Sequence, residues 1–296
     1  MHIDQIRTFL DVVSTGNFHK TAENLNVSQS SVSARIRTLE DELGRKLFTR
    51  GHTGAVLTPS GERLLRHATS LSRLWQRARQ DVALAEQYRD SISLGVAISL
   101  WDQLEIQWVS WMRDRAPDVA VHVEADFSPG LMAHLRDGVL DVGLMYEPQK
   151  APGLTIEEFM SDRLFLLTSQ GRCRVDDPDW RKGYVKIDWG EPFKQDHDAA
   201  FPDLTPELTA GLGMIAVRYI LEFGGSAYLP VRMVMQHIRS GLLHPVKGAP
   251  VFERMGCLVY GNSPANKDLL VLGLQGLRDV TKAFEAEASE LIASWD

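Results

Sequence analysis

The 296-residue chain is poor in cysteine: it has two, Cys173 and Cys257, far apart in sequence. Two isolated cysteines cannot make the framework of a small disulfide-built secreted domain. Reduced structural thiols are expected, with a single disulfide as the alternative. No run of about 18 apolar residues occurs, which excludes a helical membrane span and a membrane partner. C-x-x-C, H-E-x-x-H and G-x-S-x-G are all absent, and with them the sequence basis for dithiol redox, zincin and nucleophile-elbow chemistry. The nine histidines are scattered, and none pairs with another at metal-ligand spacing on one helix face. No metal and no cofactor are therefore expected. Met1-His2-Ile3-Asp4-Gln5 lacks a basic segment followed by an apolar core, so a secretory signal is not read there and a cytoplasmic location is expected.

The composition that remains is that of a globular protein, 44% hydrophobic and 24% charged, long enough for two or three domains. Its charge is unevenly spread. Residues 1–89 hold 13 Lys/Arg against 9 Asp/Glu, and the rest hold 19 against 30. A basic head on an acidic body suggests that the head faces a polyanion.

In the head, Ile6, Phe9, Leu10 and Val13 fall at i, i+3, i+4 and i+7, which predicts an amphipathic helix over 4–15 stopped by Gly16. A short helix from His19 to Leu25 and a tight turn at Asn26-Val27 follow. Ser28 then caps a third helix that runs to Leu43 and stops at Gly44. On that helix Val32, Ile36, Leu39 and Leu43 form an apolar stripe expected to pack inward. Ser30, Ser33 and Arg37 form a second stripe, with Gln29 beside it at the helix start. Short polar donors ending in one cation suit a major groove, because Gln pairs bidentately with adenine and Ser with several base edges. A merely solvated polar face is the alternative; the helix and tight turn that precede it favour recognition, over a helix-turn-helix from about Phe18 to Arg37. Lys46 to Arg50 and Ala55 to Thr58 flank a Gly-rich tip and read as a two-stranded wing, with Arg50 as a phosphate clamp.

The segments Thr21-Ala22-Glu23-Asn24-Leu25, Ser28-Gln29-Ser30-Ser31-Val32-Ser33, Ile36-Arg37-x-Leu39-Glu40, Leu47-Phe48-x-Arg50 and Leu57-Thr58-x-x-Gly61 together resemble the winged helix-turn-helix of LysR-type regulators. The likeness is nearly continuous over the first 65 residues or so. It implies that Gln29, Ser30, Ser33 and Arg37 face double-stranded DNA, with Ser28 at the helix cap. Where many family members carry Arg-Gln, this chain has Ala34-Arg35, a departure that bears on the target sequence.

Beyond Pro59 the residues Leu64, Ala68, Leu71, Trp75, Ala78, Val82 and Ala85 recur at alternating steps of four and three. A 3.5-residue period of this kind predicts a two-helix seam rather than packing within one domain. It matches the linker helix that the family resemblance implies, and predicts a dimer or tetramer.

From residue 91 strands and helices alternate, the pattern of an α/β domain with a parallel sheet. Strands are expected at Ser91–Ile98, Val119–Ala125, Leu140–Tyr146, Leu164–Ser169, Tyr184–Asp188, Ala227–Pro230 and Cys257–Tyr260. Helices are expected at Trp101–Arg115, Pro129–Asp137, Met214–Phe223, Val231–Ser240 and Asn266–Ala293. The resemblance makes this a two-lobed, periplasmic-binding-protein-like effector domain, and Gly138-Val-Leu-Asp141 and Gly225-Ser-Ala-Tyr-Leu-Pro230 look like LysR-type signatures. It implies three parts: a winged helix-turn-helix over 1–58, a linker helix over 59–89 and an effector domain over 90–296. Lobe I would then take about 90–162 and 264–296, and lobe II about 163–263.

Ligands of such sheets bind beyond the carboxyl ends of the strands. Three helix starts are expected there, at Ser99-Leu100-Trp101, at Ser128 and at Gly213. Their unpaired amides would favour a small anion, most simply a carboxylate, with Trp101 as an apolar wall. Plain N-capping by the serines and simple packing by Trp101 are the structural alternatives. Ser99-Leu-Trp101, Gln107-Trp108 and Asp188-Trp-Gly190 are similar to the HdfR-like subgroup of the family.

The run Gly211-Leu-Gly213-Met-Ile-Ala216 fits a dinucleotide fingerprint, but no acidic residue ends a second strand about 20 positions on. An enzyme would need a nucleophile–base pair or clustered carboxylates, and none stands out. A transport solute-binder does not begin with a helix-turn-helix. The expectation is therefore a ligand-responsive DNA-binding transcription factor, not an enzyme, whose partners are DNA, a small effector, further copies of itself and RNA polymerase.

Overall fold

The computed structural model describes residues 2–51, 54–100 and 104–295. The chain divides into two compact units, one formed by the residues up to Glu86 together with Asp137–Val139 and the other by the remaining residues from Gln87 onward.

The first unit packs α1 (Ile3–Thr15), α2 (Phe18–Asn24) and α3 (Gln29–Leu43) around one core, then adds a hairpin of β1 (Phe48–Gly51) and β2 (Gly54–Leu57), and α4 (Pro59–Val82). Gly16 ends α1 and Gly44 ends α3 in the left-handed conformation. Asn17 caps α2 by accepting from the His19 and Lys20 amides. Ile6, Phe9, Val12, Val32, Ile36 and Leu39 are buried together with Leu47 of the wing. Each such side chain contributes about 1.5–3 kcal/mol by leaving water. Leu43, expected on the same stripe, is 46% exposed. It sits one residue before the Gly44 stop, where the helix runs past the core.

The second unit is built on one curved nine-stranded sheet in the order β4-β3-β5-β11-β6-β9-β7-β8, with a short β10 beside β6. Its first lobe holds β3 (Asp90–Ala97), α5 (Leu104–Arg115), β4 (Val119–Asp126), α6 (Ser128–Arg136) and β5 (Val142–Tyr146). Then comes a 15-residue strand, β6 (Leu154–Thr168), which carries the chain across. The second lobe holds β7 (Tyr184–Ile187), α7 (Glu191–Ala200), β8 (Leu208–Ala210), α8 (Gly213–Phe223), β9 (Ser226–Pro230), α9 (Val231–Arg239) and β10 (His244–Pro245). The antiparallel β11 (Phe252–Gly261) returns, and α10 (Lys267–Ala293), capped by Asn266, closes the fold.

Two hydrophobic cores mark the lobes. Leu94, Val142 and Leu144 pack with Trp108 and Met112 in one. Tyr184, Val185, Leu229 and Ile220 pack with Trp180 in the other. The return crossing lies earlier than the expected 263. Phe252 belongs to the second core while Leu258 and Val259 belong to the first, and the β6–β11 register shifts between Gly256 and Cys257. The strand has already reached lobe I by Cys257, because Gly256–Tyr260 pairs with β5. Helix α7 was not anticipated. Its sequence is polar except for Pro192, Phe193 and two alanines, so periodicity gave little signal. Both cysteines are free.

Candidate DNA interface and effector site

The recognition helix starts at a fixed place because Ser28 Oγ accepts the Ser31 amide at 3.2 Å. From that start, Gln29, Ser33 and Arg37 recur every four residues and so share a face. They line one groove of about 540 Å³ with Asn17, Lys46 and Thr49 of the turn and wing. Gln29 and Arg37 are exposed and Ser33 is half-buried. Ser30 is exposed beside them, its hydroxyl 2.8 Å from Ser28 Oγ. The Arg50 side chain lies outside the described residues. Arg35 turns away from this face, its Nη1 donating to Thr8 Oγ1 on α1 at 3.3 Å. The departure at Ala34-Arg35 thus places an arginine within the domain.

Glu40, near the end of the recognition helix, has a role that periodicity did not assign. It is buried. Its carboxylate accepts the Leu47 amide at 2.8 Å and the Lys46 ammonium at 2.7 Å, which ties the recognition helix to the wing. Two glycines bring the wing's other strand to the first turn. The Ala55 amide donates to Gly16 O at 2.7 Å, and a side chain on Gly54 would strike that same carbonyl.

Helix α4 divides its apolar residues between two tasks. Ala68 is buried in the head's own core and Leu64 packs against it. Neither is free for a seam with another chain, contrary to expectation. Leu71, Leu74 and Trp75 are exposed, as is Val82, 89% accessible at the helix end, and Ala78 is exposed with them. Leu74 was not on the sequence-derived seam. Ala85 lies beyond the helix.

The expected effector contacts also resolve differently. Ser99 lies in a single 3-10 turn, Ile98–Leu100, and does not cap α5, which begins at Leu104. Leu100 is buried in lobe I. Trp101 lies outside the described residues. Ser128 is the first residue of α6 rather than its cap, and its hydroxyl donates to the Tyr146 carbonyl at 3.0 Å. Gly213 opens α8 as expected, but the Trp189 ring lies where a side chain on Gly213 would go, with Met233 behind it. The small residue is there to admit Trp189, whose Nε1 is held by the Tyr228 carbonyl at 2.8 Å. The LysR-like Asp141 is structural too: it accepts from the Ser93 amide and hydroxyl.

Between the lobes the structure assembles a polar cluster that no sequence spacing announced. Arg232, at the start of α9, is buried and donates from Nε and Nη2 to the two oxygens of Asp162 on β6, at 3.1 and 2.9 Å. Its Nη1 reaches the Leu100 carbonyl of lobe I at 3.3 Å. The Tyr146 hydroxyl donates to the same Asp162 carboxylate. Burial raises the Asp162 carboxyl to about 6, and burial lowers the Arg232 guanidinium to about 9. At Asp162 the hydrogen bond from Tyr146 and the charge of Arg254 oppose the effect of burial. Beside them Arg254 of β11 lies over the Tyr146 ring, 3.5 Å from its centroid, and 5.2 Å from that of Trp189. Its Nη1 is buried without a hydrogen-bond partner. A cation held against aromatic faces with one buried N–H group left without an acceptor is suited to an incoming anion.

Among the described residues no helix is long and apolar enough to cross a membrane. Residues 3–62 match the bacterial regulatory helix-turn-helix protein, lysR family, and residues 85–183 match the LysR substrate binding domain. The HTH-type transcriptional regulator HdfR of Escherichia coli O17:K52:H18 is 32% identical over 262 residues, 86% of this chain and 90% of that protein. Among solved structures the fold is similar to CbnR, a LysR family transcriptional regulator, with TM-score 0.70 and 18% identity over 95% of this chain and 99% of that one. It is similar also to CbnR complexed with its target DNA, with TM-score 0.68, 18% identity and coverage of 95% and 100%. The winged head, the two-lobed body and the HdfR likeness along most of the chain agree: the protein is a LysR-type transcriptional regulator, a DNA-binding protein and not an enzyme.

Proposed function

We propose that this regulator reads base edges of a partly palindromic promoter site with Gln29, Ser33 and Arg37. The observation that carries the reading is their convergence on one groove between recognition helix and wing. Selection from a randomised operator library tests it. Gln29→Ala or Ser33→Ala is expected to relax preference at one base position by about 1–3 kcal/mol. Arg50→Ala is expected to weaken binding evenly and lower the salt slope. Unchanged base preference in both polar variants would remove these residues from the readout.

The exposed half of α4 supports a homodimer, with pairing of dimers to a tetramer as the larger assembly. Leu71, Leu74, Trp75 and Val82 expose apolar surface that a second copy of the same helix would cover. Leu71→Asp places a charge in that contact. Sedimentation should then show a smaller species, with operator affinity lost because the two half-sites no longer bind together. An unchanged oligomer assigns assembly to another surface.

The effector we infer is a small carboxylate held at Arg254 in the cleft between the lobes, the chromosome-bound protein meeting it in the cytoplasm. The unpaired guanidinium replaces the serine-capped helix starts as the anion-reading group. Binding changes transcription, and contact with RNA polymerase, only if the ligand favours one arrangement of the assembly over another. A carboxylate panel screened by thermal shift is expected to yield binders that Arg254→Met abolishes. Binders equally tight in that variant would place the site elsewhere.

A further inference from the structure

We propose that the hinge between the lobes carries a second ligand site, specific for a small neutral molecule with an apolar body and one hydrogen-bonding group. The cavity encloses about 270 Å³, close to the lower limit of small-molecule sites. Its walls come from both lobes and from α10: Leu104 and Met160 on one side, Phe165 and Val231 on the other, Phe284 and Ile292 from the helix. None of these residues belongs to the Arg254–Tyr146–Trp189 clamp.

The polar content of the cavity sets the ligand class. Thr281 lines it from α10, is 3% exposed, and its Oγ1 has no hydrogen-bond partner. Helical threonines normally bond back to the carbonyl four residues earlier. Here Thr15, Thr38 and Thr69 all do so, to Asp11, Ala34 and Leu65. Thr281 is also helical and does not, so a buried hydroxyl is left open toward the cavity. Burying such a group unpaired is costly, and a ligand hydroxyl or amide would offset that cost. The buried charges are spent: Asp162 accepts from Arg232 and from Tyr146, and Arg232 also holds Leu100 O, while Arg163 and Glu285, which also line the cavity, are exposed to solvent. An ionised ligand would find no free counter-charge in the interior, whereas a neutral phenol or alcohol satisfies Thr281 and fills the apolar walls. A molecule there touches both lobes, so its occupancy bears on their closure independently of the Arg254 cleft.

Fluorine NMR of the full-length protein with 4-fluorophenol and 4-fluorotoluene tests this. Both probes are expected to bind, the phenol more tightly. Thr281→Val, which keeps the shape and removes the hydroxyl, should weaken the phenol by about two- to tenfold and leave the toluene unchanged. Ala288→Phe should fill the cavity and displace both. Arg254→Met should alter neither, which separates this site from the carboxylate cleft. Failure of both probes to bind the parent protein overturns the proposal. So does phenol affinity that is equal in Thr281→Val, or that falls in Arg254→Met but not in Thr281→Val.

Discussion

The head and the effector body of this protein place their chemistry by opposite means. In the head, the residues proposed to face DNA are neighbours on one helix turn after another, and Gln29, Ser33 and Arg37 align because 3.6 residues make a turn. In the body, the central cluster joins Leu100, Tyr146, Asp162, Arg232 and Arg254, residues up to 154 positions apart in the chain. The head's side chains remain exposed, as a surface that must meet a polyanion requires. The body's are buried, so every donor needs an acceptor or becomes a place for a ligand. An unpaired atom is therefore informative in the second setting and not in the first.

The sharpest break in this comparison is Arg232→Ala. It leaves the Asp162 carboxylate buried without its partner, and the expected loss is about 3–5 kcal/mol of stability in the effector domain. Chemical denaturation of the full-length protein measures it, and the double replacement Asp162→Leu/Arg232→Met should restore much of the loss. If the single variant is as stable as the parent, the pair is not the fastening that its geometry describes.

Glu40→Ala asks whether the head too depends on one buried group. It strips the Leu47 amide of its acceptor, at an expected cost of about 1–3 kcal/mol, and unties the wing from the recognition helix. Operator binding should weaken across all sequences, unlike the position-specific change expected for Gln29→Ala. A base-specific defect would instead make Glu40 part of the readout.

A smaller effect is expected for Ser128→Ala, which removes one hydrogen bond to the Tyr146 carbonyl. Stability should fall by about 0.5–1.5 kcal/mol while any carboxylate response survives. A response abolished at unchanged stability would return Ser128 to the ligand.

The mildest test uses pH. His197 is buried in lobe II, its Nε2 2.7 Å from the Tyr184 hydroxyl and its Nδ1 3.0 Å from Asp198. Burial holds its imidazole below the ordinary value, and the hydrogen bond to Asp198 only partly opposes this. The unfolded chain therefore takes up the proton first as pH falls. Its contribution to stability is complete above the unfolded value of about 6.5 and is lost as pH drops through the range below it. Denaturation midpoints between pH 7.5 and 5 should fall more steeply in the parent than in His197→Gln. Parallel slopes would mean that His197 takes up its proton as readily in the fold as in the unfolded chain.

Much of the architecture was legible in the chain. The helix stops at Gly16 and Gly44, the Ser28 cap and the wing strands follow from local chemistry, and so do most strands of the body. Other readings departed from the structure, each for a different physical reason. The heptad pattern of α4 was real, but Leu64 and Ala68 satisfy it within the head, because a periodic stripe states that a face is buried and not by what. Ser99 and Ser128 stand where capping serines would, yet the chain turns through a 3-10 segment at one and reaches the Tyr146 carbonyl at the other. Helix α7 and the early crossing of β11 left only weak patterns in hydrophobicity.

By itself, then, the sequence determined the class of protein, the identity of the recognition helix and the residues presented on its face. Period and capping act over four residues, and such short-range rules need no knowledge of the rest of the chain. Only the tertiary structure decided that Glu40 fastens the wing, that Trp189 packs on the start of α8, and that Asp162 and Arg232 meet near Arg254. Those outcomes depend on which side chains arrive together when β6 and β11 cross between the lobes. A buried charge is stable only beside the partner that arrives with it.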